Sequence, residues 1–416
     1  GSIWKKLMGF AFPLFLGNLF QQLYNMVDTA VVGKFVGEDA VAAVGSSFPI
    51  VFLSVAIAAG LSMGCNVVVS QLFGAGRIHE MKTTISTAII SLGVLGLLIM
   101  GLGTLLAGPL LQLLGTDPDI MADSRTYLQI YFGGAVFLFL YNTLNGIYNA
   151  QGDSKTPLIF LMISSLTNIV LDMVLVAILG MGVAGAALAT VIAQGCSAVW
   201  VLKFLTGRKA ILRLRLRNLA LGAGRVKSIV ALGLSGFFMN LTNSLVQVVC
   251  NATLQAYGGD LYVGVMTIIN SLREVFFMPV HGLSNGAQPV MGFNYGAGLY
   301  SRVRKSIRLS CGLTVAYAAA FWAAAMLLPE LMIRVFNSEP EVIAAGVPAL
   351  RVYFALFIPM SLQSAGQSVF VALGRSKQAV FFSLLRKAII NAPLTVILPI
   401  DRKSTRLNSS HTDISY

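Results

Sequence analysis

The chain of 416 residues is 56% hydrophobic and only 11% charged, whereas soluble domains carry about 25% charged residues. Such a sequence cannot cover a soluble fold of this size with polar side chains. The composition therefore argues against a soluble enzyme and a disordered chain, and it indicates a polytopic membrane protein whose outer face stays apolar. The net charge of +13 would otherwise suggest nucleic-acid binding, so the positions of the basic residues have to be considered.

Apolar runs of bilayer-spanning length follow one another along the chain. They are rich in Leu, Ala, Gly and Phe, and they differ from the alternating segments of about 10 residues that barrel strands show. We therefore predict an all-α polytopic membrane protein with about eleven helices. The predicted spans are 8–33, 41–72, 83–114, 120–150, 157–180, 183–206, 228–256, 260–294, 303–328, 342–373 and 378–400.

Basic residues are concentrated in every second predicted loop. The longest of these loops, 207–227, contains seven Lys and Arg residues and no acid, while the alternate loops are mostly acidic, as at 117–123. The positive-inside rule places the basic loops and the N-terminus in the cytoplasm. We therefore predict a multi-pass protein of a bacterial-type cytoplasmic (plasma) membrane, in which the lipid bilayer, and no nucleic acid, is the partner of the basic charge.

The two halves of the sequence resemble each other at a constant offset of 222 residues. The segment GLSMG at 60–64 recurs as GLSNG at 282–286, and FGAG at 73–76 recurs as YGAG at 295–298. Because six predicted helices separate equivalent points, both halves cross the membrane in the same direction. This is typical of transporters built from parallel repeats.

The repeat also predicts the domain organisation. An N-terminal six-helix lobe occupies 1–206, the basic cytoplasmic linker 207–227 follows, and a C-terminal lobe with five predicted helices occupies 228–400. The repeat implies a twelve-helix plan, of which the last helix is absent. We expect the polar tail 401–416 to be non-native, and a true eleven-helix protein is the alternative.

Two aspartates lie at membrane depth in the first half, where burying a charge is costly and ionisable residues mark functional sites. Asp28 shares one helix face with Gln21 and Tyr24, and Asp172 shares one with Asn168. We predict that these faces build a polar cleft whose carboxyls exchange protons across the membrane; polar residues that merely hold helices together are the structural alternative. Further polar residues of the fourth and sixth predicted helices are Tyr141, Asn142, Asn145, Tyr148, Asn149, Thr190 and Gln194.

The segments 60–64 and 282–286 also fit G-x-S-x-G, the nucleophile motif of hydrolases. That motif requires a strand–turn–helix and a positioned base, whereas both copies lie in long apolar helices. Close helix packing through small residues accounts for both copies, so we predict that the protein is not an enzyme. The sequence has no Cys/His cluster with metal-ligand spacing, and we predict neither a metal site nor a resident cofactor.

The sequence resembles the multidrug and toxic compound extrusion (MATE) transporters, and within them the DinF-like branch. This resemblance implies two six-helix lobes that form a V, alternating access, and efflux of organic cations or other amphipathic compounds in exchange for H⁺ or Na⁺. We expect the protein to act on small-molecule substrates as a monomer. The segments that carry the resemblance are VDTAVVG at 27–33, FGAG at 73–76, YGAG at 295–298, GDSKTP at 152–157, NIVLD at 168–172 and GVAGAA at 182–187.

The resemblance also implies roles for individual residues. Asp28 and Asp172 match the cation-coupling aspartates of that branch, and Pro13 matches the proline at which the first helix bends. The second half has Cys250 at the position equivalent to Asp28, whereas the NorM-like branch has acidic residues in its second lobe. This difference favours H⁺ as the coupling ion of this protein and leaves Na⁺ open. The residues that match the substrate and cation network are Gln21, Tyr24, Asn142, Asn145, Asn168 and Thr190.

A lipid-linked oligosaccharide flippase of the same superfamily is the alternative function. Such a protein would prefer a cationic central cavity that binds pyrophosphate, whereas the predicted first-lobe cleft is acidic. The surroundings of Arg273 and Arg386, which both lie in predicted helices of the second half, distinguish the two functions.

Overall fold

The structure, a computed structural model, describes residues 2–207 and 222–385, and this part of the chain is helical and contains no β-strand. The all-α class predicted from the sequence is confirmed. A π-helical segment, Met173–Ile178, follows the sixth helix. The helices are α1 (Ile3–Phe35), α2 (Glu38–Gly74), α3 (Ile78–Leu113), α4 (Pro118–Gly133), α5 (Ala135–Gln151), α6 (Lys155–Asp172), α7 (Gly182–Thr206), α8 (Ala223–Gly296), α9 (Tyr300–Leu327), α10 (Pro329–Arg334), α11 (Pro340–Phe354), α12 (Phe357–Ala372) and α13 (Ser376–Leu384).

Several helices have the length and apolar character of membrane spans. Among the described residues, α2, α3, α6 with its π-helical extension, α7 and α9 meet both requirements as single helices. Two further spans are helix pairs with a sharp bend, 49° between α4 and α5 and 43° between α11 and α12. The multi-pass plan is confirmed, but the predicted spans 120–150 and 342–373 are each a broken helix.

The internal repeat is visible in the backbone geometry. The break between α4 and α5 falls at Gly134, and the break between α11 and α12 includes Leu356, 222 residues later. Gly76 and Gly298, another equivalent pair, both have left-handed backbone with φ of 70° and 71°. Glycine adopts this conformation without a steric penalty, so the repeated FGAG and YGAG motifs are equivalent helix ends.

The seventh and eighth predicted helices form one helical run, α8, which has 74 residues. A straight helix of this length would extend for about 110 Å. However, Gly233 near its start lies against Gly64 of α2, and Gly292 near its end lies against Ser70 of the same helix. Both ends of α8 therefore lie beside one short stretch of α2, and α8 must fold back on itself, as two separate spans would.

The two G-x-S-x-G segments pack helices of the two sequence halves against each other. A side chain on Gly64 would collide with the backbone of Gly233, and a side chain on Gly286 would collide with the backbone of Ala11. Ala11 and Gly233 are equivalent in the repeat, so the two contacts are related by pseudo-two-fold symmetry. The small residues of the motif thus permit close helix packing, in agreement with the prediction.

A second symmetric contact lies at the C-terminal ends of α2 and α8. The carbonyl of Phe293 occupies the space that a side chain on Gly74 would need, and the carbonyl of Gln71 occupies the equivalent space at Gly296. Gln71 also donates through Nε2 to the carbonyl of Ala372, the last residue of α12, at 2.9 Å. Glycine is required at both positions because the two backbones are in direct contact.

The described part of the chain divides into two compact units. The second unit contains Phe238–His281, Arg308–Phe370 and the described residues from Arg375 onward, and the first contains the other described residues. All the predicted site residues belong to the first unit. The predicted lobe boundaries at 206 and 228 stay a prediction, and the predicted tail 401–416 lies outside the described residues.

Candidate functional site

Asp28 and Asp172 reach the site from two helices that pack along each other. α1 carries Asp28, and Asp172 is the last residue of α6. Gly17 of α1 faces the side chains of Leu158 and Leu161 of α6, so the missing side chain lets the two helices approach closely. The helix continues after Asp172 as a π-helical segment, a feature that is frequent at functional sites because it disturbs the regular hydrogen-bond ladder.

The carboxyl groups of Asp28 and Asp172 lie within hydrogen-bonding reach of each other. A hydrogen bond between two carboxyl groups forms only when one of them carries a proton. Asp172 is fully buried and Asp28 is partly buried. The Oδ1 atoms of both residues are buried and have no hydrogen-bond partner in the described part of the chain. The structure therefore brings the two predicted coupling residues together and leaves each carboxyl one oxygen that can accept a proton.

Asn168 connects the carboxyl pair to α7. With its amide nitrogen turned towards Asp172, as the hydrogen-bonding pattern requires, it donates to Oδ2 at 3.3 Å and accepts from the backbone N–H of Thr190 at 3.2 Å. The hydroxyl of Thr190 donates to the carbonyl of Ala186 in its own helix at 3.2 Å. The same end of the Asn168 amide lies 3.4 Å from this hydroxyl, so the connection to α7 involves the backbone N–H of Thr190 and, at longer distance, its side chain.

Two tyrosines of α4 complete the site, although neither was among the predicted residues. Tyr127 lies close enough to both carboxyls to interact with them electrostatically, as does Tyr24 of α1. The rings of Tyr127 and Tyr131 stack at 6.3 Å between centroids, and Tyr131 lies beside Gln194 of α7. The sequence does contain a signal for this pair, since an i, i+4 spacing places both hydroxyl-bearing rings on one helix face.

The other predicted residues differ in how they relate to the carboxyl pair. Gln21 relates to it indirectly, because it lies beside Tyr24 on α1. Asn142 and Asn145 lie on α5, and their side-chain hydrogen bonds stay within that helix. Asn142 Nδ2 donates to a carbonyl one turn earlier at 2.9 Å, and Asn145 Oδ1 accepts from Asn149 at 3.2 Å. The hydrogen bonds of the described residues therefore do not join these two asparagines to the carboxyl pair.

Pro13 lies inside α1, which runs without a break from Ile3 to Phe35, and its side chain is buried. Because proline has no N–H, the carbonyl of Gly9, four residues earlier, loses its helical partner. The hydroxyl of Ser154 donates to this carbonyl at 3.2 Å.

The second unit contains an ion pair on α8. Arg273 Nη2 lies 2.5 Å from Glu274 Oε1, and Arg273 is also hydrogen-bonded to Tyr353. The positive charge of Arg273 is thus balanced by its neighbour. Arg386, the other basic residue singled out in the second half, lies outside the described residues.

Parallel repeats of membrane helices with a buried acidic pair in one half are typical of polytopic membrane transporters. The MatE family model matches the chain twice, over residues 13–174 and 236–397, once in each half of the internal repeat. The chain belongs to the MatE family, whose members are membrane transporters.

Relatives and solved structures of this family match nearly the whole chain. The probable multidrug resistance protein YpnP of Bacillus subtilis (strain 168) is 27% identical over 95% of this chain and 88% of its own length. The multidrug export protein MepA of Staphylococcus aureus (strain COL) is 22% identical over 93% of this chain and 86% of its own. The solved structure of the MATE multidrug transporter DinF-BH has a TM-score of 0.87 at 32% identity, and the match covers 95% of this chain and 89% of that one. The resemblance to MATE transporters of the DinF-like branch is confirmed.

Proposed function

We propose that the protein is a secondary active multidrug efflux antiporter, which exports organic cations or other amphipathic compounds in exchange for H⁺. The observation that carries this proposal is the close approach of the carboxyls of Asp28 and Asp172, which lie within hydrogen-bonding reach of each other on two packed helices. A buried pair that holds one proton can release it and take it up again, which an exchanger driven by a proton gradient requires. The relatives named as multidrug resistance and export proteins support the substrate class.

Release of the shared proton changes both the charge and the hydrogen bonding of the site. Two neighbouring ionised carboxylates repel each other strongly when their surroundings have a low dielectric constant. A cationic substrate beside the pair relieves the repulsion, whereas protonation removes the attraction for that substrate. Proton and substrate therefore favour opposite charge states of one pair, so that binding of either weakens binding of the other.

Asn168 gives this titration a structural consequence. When Asp172 is ionised, the hydrogen bond from Asn168 becomes charge-assisted and shorter. Since the same amide accepts from the backbone of Thr190 at 3.2 Å, a movement of Asn168 is transmitted to α7. In this way the charge of the pair biases the equilibrium between the inward-open and outward-open states.

Na⁺ is the alternative coupling ion. A cation bound between Asp28 and Asp172 would need both carboxyls ionised and turned towards it, whereas a hydrogen bond between them needs a proton. The close approach of the two carboxyls allows the shared proton that H⁺ coupling uses. The neutral Cys250, at the position equivalent to Asp28 in the second half, supports the same choice.

The flippase alternative receives less support from the charged groups. Recognition of a pyrophosphate relies on cationic side chains that are free to form charge-assisted hydrogen bonds with it. The guanidinium of Arg273 lies 2.5 Å from the carboxylate of Glu274, so this pair carries no net charge. The acidic pair in the first unit would repel a pyrophosphate.

Transport measurements in proteoliposomes test the proposal. We expect the reconstituted full chain to move a fluorescent organic cation when a pH gradient is imposed and to ignore a Na⁺ gradient at constant pH. Transport that responds to the Na⁺ gradient alone would show that Na⁺, and not H⁺, is the coupling ion. Transport that responds to neither gradient would overturn the antiport mechanism.

We further infer that the protein acts as a monomer in a bacterial-type cytoplasmic membrane, with its N-terminus on the cytoplasmic side. The basic residues in every second predicted loop, which place these loops and the N-terminus on one side of the membrane, support this orientation. Cysteine introduced at Ser2, which is exposed, should react with an impermeant maleimide in inside-out vesicles and not in intact cells.

A further inference from the structure

Ser154 occupies a position at which serine usually serves its own helix. It is the N-cap residue of α6, and an N-cap serine normally accepts a hydrogen bond from a backbone N–H of the first helical turn. Here the side chain of Ser154 makes no such bond. Its hydroxyl instead donates to the carbonyl of Gly9 in α1 at 3.2 Å, and the residue is only 4% exposed.

The preceding residue performs the capping function. Asp153 Oδ1 accepts from the backbone N–H groups of Lys155 and Thr156 at 3.1 and 3.0 Å, and Oδ2 accepts from the hydroxyl of Thr156 at 2.5 Å. The turn before it is closed by Gly152, whose φ of 94° favours glycine. Since the start of α6 is capped without Ser154, the hydroxyl of that serine is available for α1.

The carbonyl that Ser154 binds is the one that Pro13 leaves without a helical partner. In an uninterrupted helix the N–H of residue 13 would donate to the carbonyl of Gly9, and proline has none. An unsatisfied carbonyl in a membrane helix is costly. In the second half Ser235 stands at the position equivalent to Pro13, so its own N–H can serve the carbonyl of Ala231.

α1 and α6 thus contact each other at two distant points. Gly9 pairs with Ser154 at one end, and Asp28 approaches Asp172 at the other. Along each helix these points are separated by about 27–29 Å at the usual rise per residue, so the two helices run parallel over that length. Pro13 lies between the two contacts on α1, so a bend there would change the position of Asp28 relative to Gly9, and the two contacts could not both be kept.

We propose that Ser154 is a positioning residue for α1: its hydroxyl stabilises the continuous form of the helix by holding the carbonyl that Pro13 leaves open. Breaking this bond permits α1 to bend at Pro13, and forming it fixes Asp28 relative to Asp172. The bond itself can be tested without reference to transport, whereas its consequence for the exchange cycle rests on the proposed function.

Hydrogen–deuterium exchange of the full chain in lipid nanodiscs tests the bond. Ser154→Ala should accelerate exchange of the peptides around Pro13 by about fivefold, the effect of one lost hydrogen bond, while Ser154→Thr keeps the hydroxyl and should leave exchange near its original rate. Ser165→Ala is the matched control, because the Ser165 hydroxyl donates to Leu161 within α6 at 2.8 Å. It should not affect α1.

The decisive variant restores the missing donor. Pro13→Ala supplies the N–H that the carbonyl of Gly9 lacks, so adding Ser154→Ala to Pro13→Ala should cause no further acceleration. An equal effect of Ser154→Ala in both backgrounds, or no effect in either, would overturn the proposal. Proton-driven efflux measured on the same variants should be slowed by Ser154→Ala and restored by Ser154→Thr. If exchange behaves as expected but efflux does not respond to a pH gradient in any variant, the bond stands and the proposed function fails.

Discussion

The carboxyl of Asp28 lies within hydrogen-bonding reach of the carboxyl of Asp172, although the two residues are far apart in the chain and lie on different helices. A hydrogen bond between two carboxyls requires one shared proton, so this pair is suited to binding and releasing a proton. Asn168 and Tyr127 surround the pair from α6 and α4. The consequences of this arrangement are open to direct tests.

Replacing either aspartate by asparagine should abolish efflux that is driven by a pH gradient. An amide can neither release nor take up the shared proton, and Asp28→Asn and Asp172→Asn keep the size of the side chain. The measurement is uptake of a fluorescent cation into proteoliposomes after a pH jump. Asp119→Asn is the control, since Asp119 is an exposed acid in the first turn of α4. Full pH-driven transport by either site variant would contradict the mechanism.

Asn168→Ala should slow proton-driven efflux about tenfold or more. It removes a hydrogen bond to a carboxyl, a kind worth about 1.5–3 kcal/mol, and it cuts the connection to α7. Thr190→Ala should have a smaller effect, because it keeps the backbone N–H that donates to Asn168 at 3.2 Å and removes only the hydroxyl, which lies 3.4 Å from the same amide. Thr167→Val controls for packing changes on the same helix, since the Thr167 hydroxyl donates only to Ile163 at 2.8 Å. If Thr190→Ala were the more severe variant, the backbone connection would be wrong.

Gly74→Ala and Gly296→Ala should each destabilise the protein by about 1–3 kcal/mol, the usual range for inserting a methyl group into a packed contact. Each new side chain would collide with a carbonyl, that of Phe293 or Gln71. Thermal unfolding in detergent, followed by the loss of monodisperse protein, measures the effect. Gly101→Ala is the control: a side chain there meets open space, and alanine favours a helix. Equal stability of the three variants would exclude the backbone contact.

No serine-reactive probe should label Ser62 or Ser284. The hydroxyl of Ser62 donates to the carbonyl of Asn142 at 2.5 Å, so its proton is engaged with backbone, not with a base. The neighbouring glycines of each motif serve helix packing. Incubation of the reconstituted protein with a fluorophosphonate, followed by mass spectrometry, tests this. Stoichiometric labelling of either serine would reopen the hydrolase hypothesis.

The repeat and the polar faces of the helices could be predicted from the sequence because both depend on spacing along the chain. Asp28 with Tyr24, and Asp172 with Asn168, share faces through the 3.6-residue period alone. Tyr127 and Tyr131 are not among the predicted site residues, although their i, i+4 spacing also places them on one helix face. Their spacing is a weak signal because tyrosines are common in membrane helices. The shared helix face of Asn142 and Asn145 predicts that both belong to the polar network around Asp28 and Asp172. Their side-chain hydrogen bonds instead stay within α5.

The breaks at Gly134 and Leu356 could not be predicted from hydropathy, because the apolar runs continue across them. Likewise, nothing in the pattern around 257–259 indicated that the helical backbone continues through it. Helix direction at such points depends on what the two flanking segments pack against, and that is a property of the folded chain.

By itself, the sequence determined that this protein spans a membrane repeatedly, that its halves are parallel copies, and that two aspartates stand out in the first half. Composition, helical periodicity and the repeat offset are all properties of the linear chain. They determine the fold class because a segment buried in lipid must satisfy its backbone hydrogen bonds internally, which few structures can do. Only the tertiary structure decided that the carboxyls of Asp28 and Asp172 come within hydrogen-bonding reach, that Asn168 joins them to α7, and that Ser154 serves α1 rather than its own helix. Hydrogen bonds act over about 3 Å, and which groups come that close depends on how helices from distant parts of the chain pack.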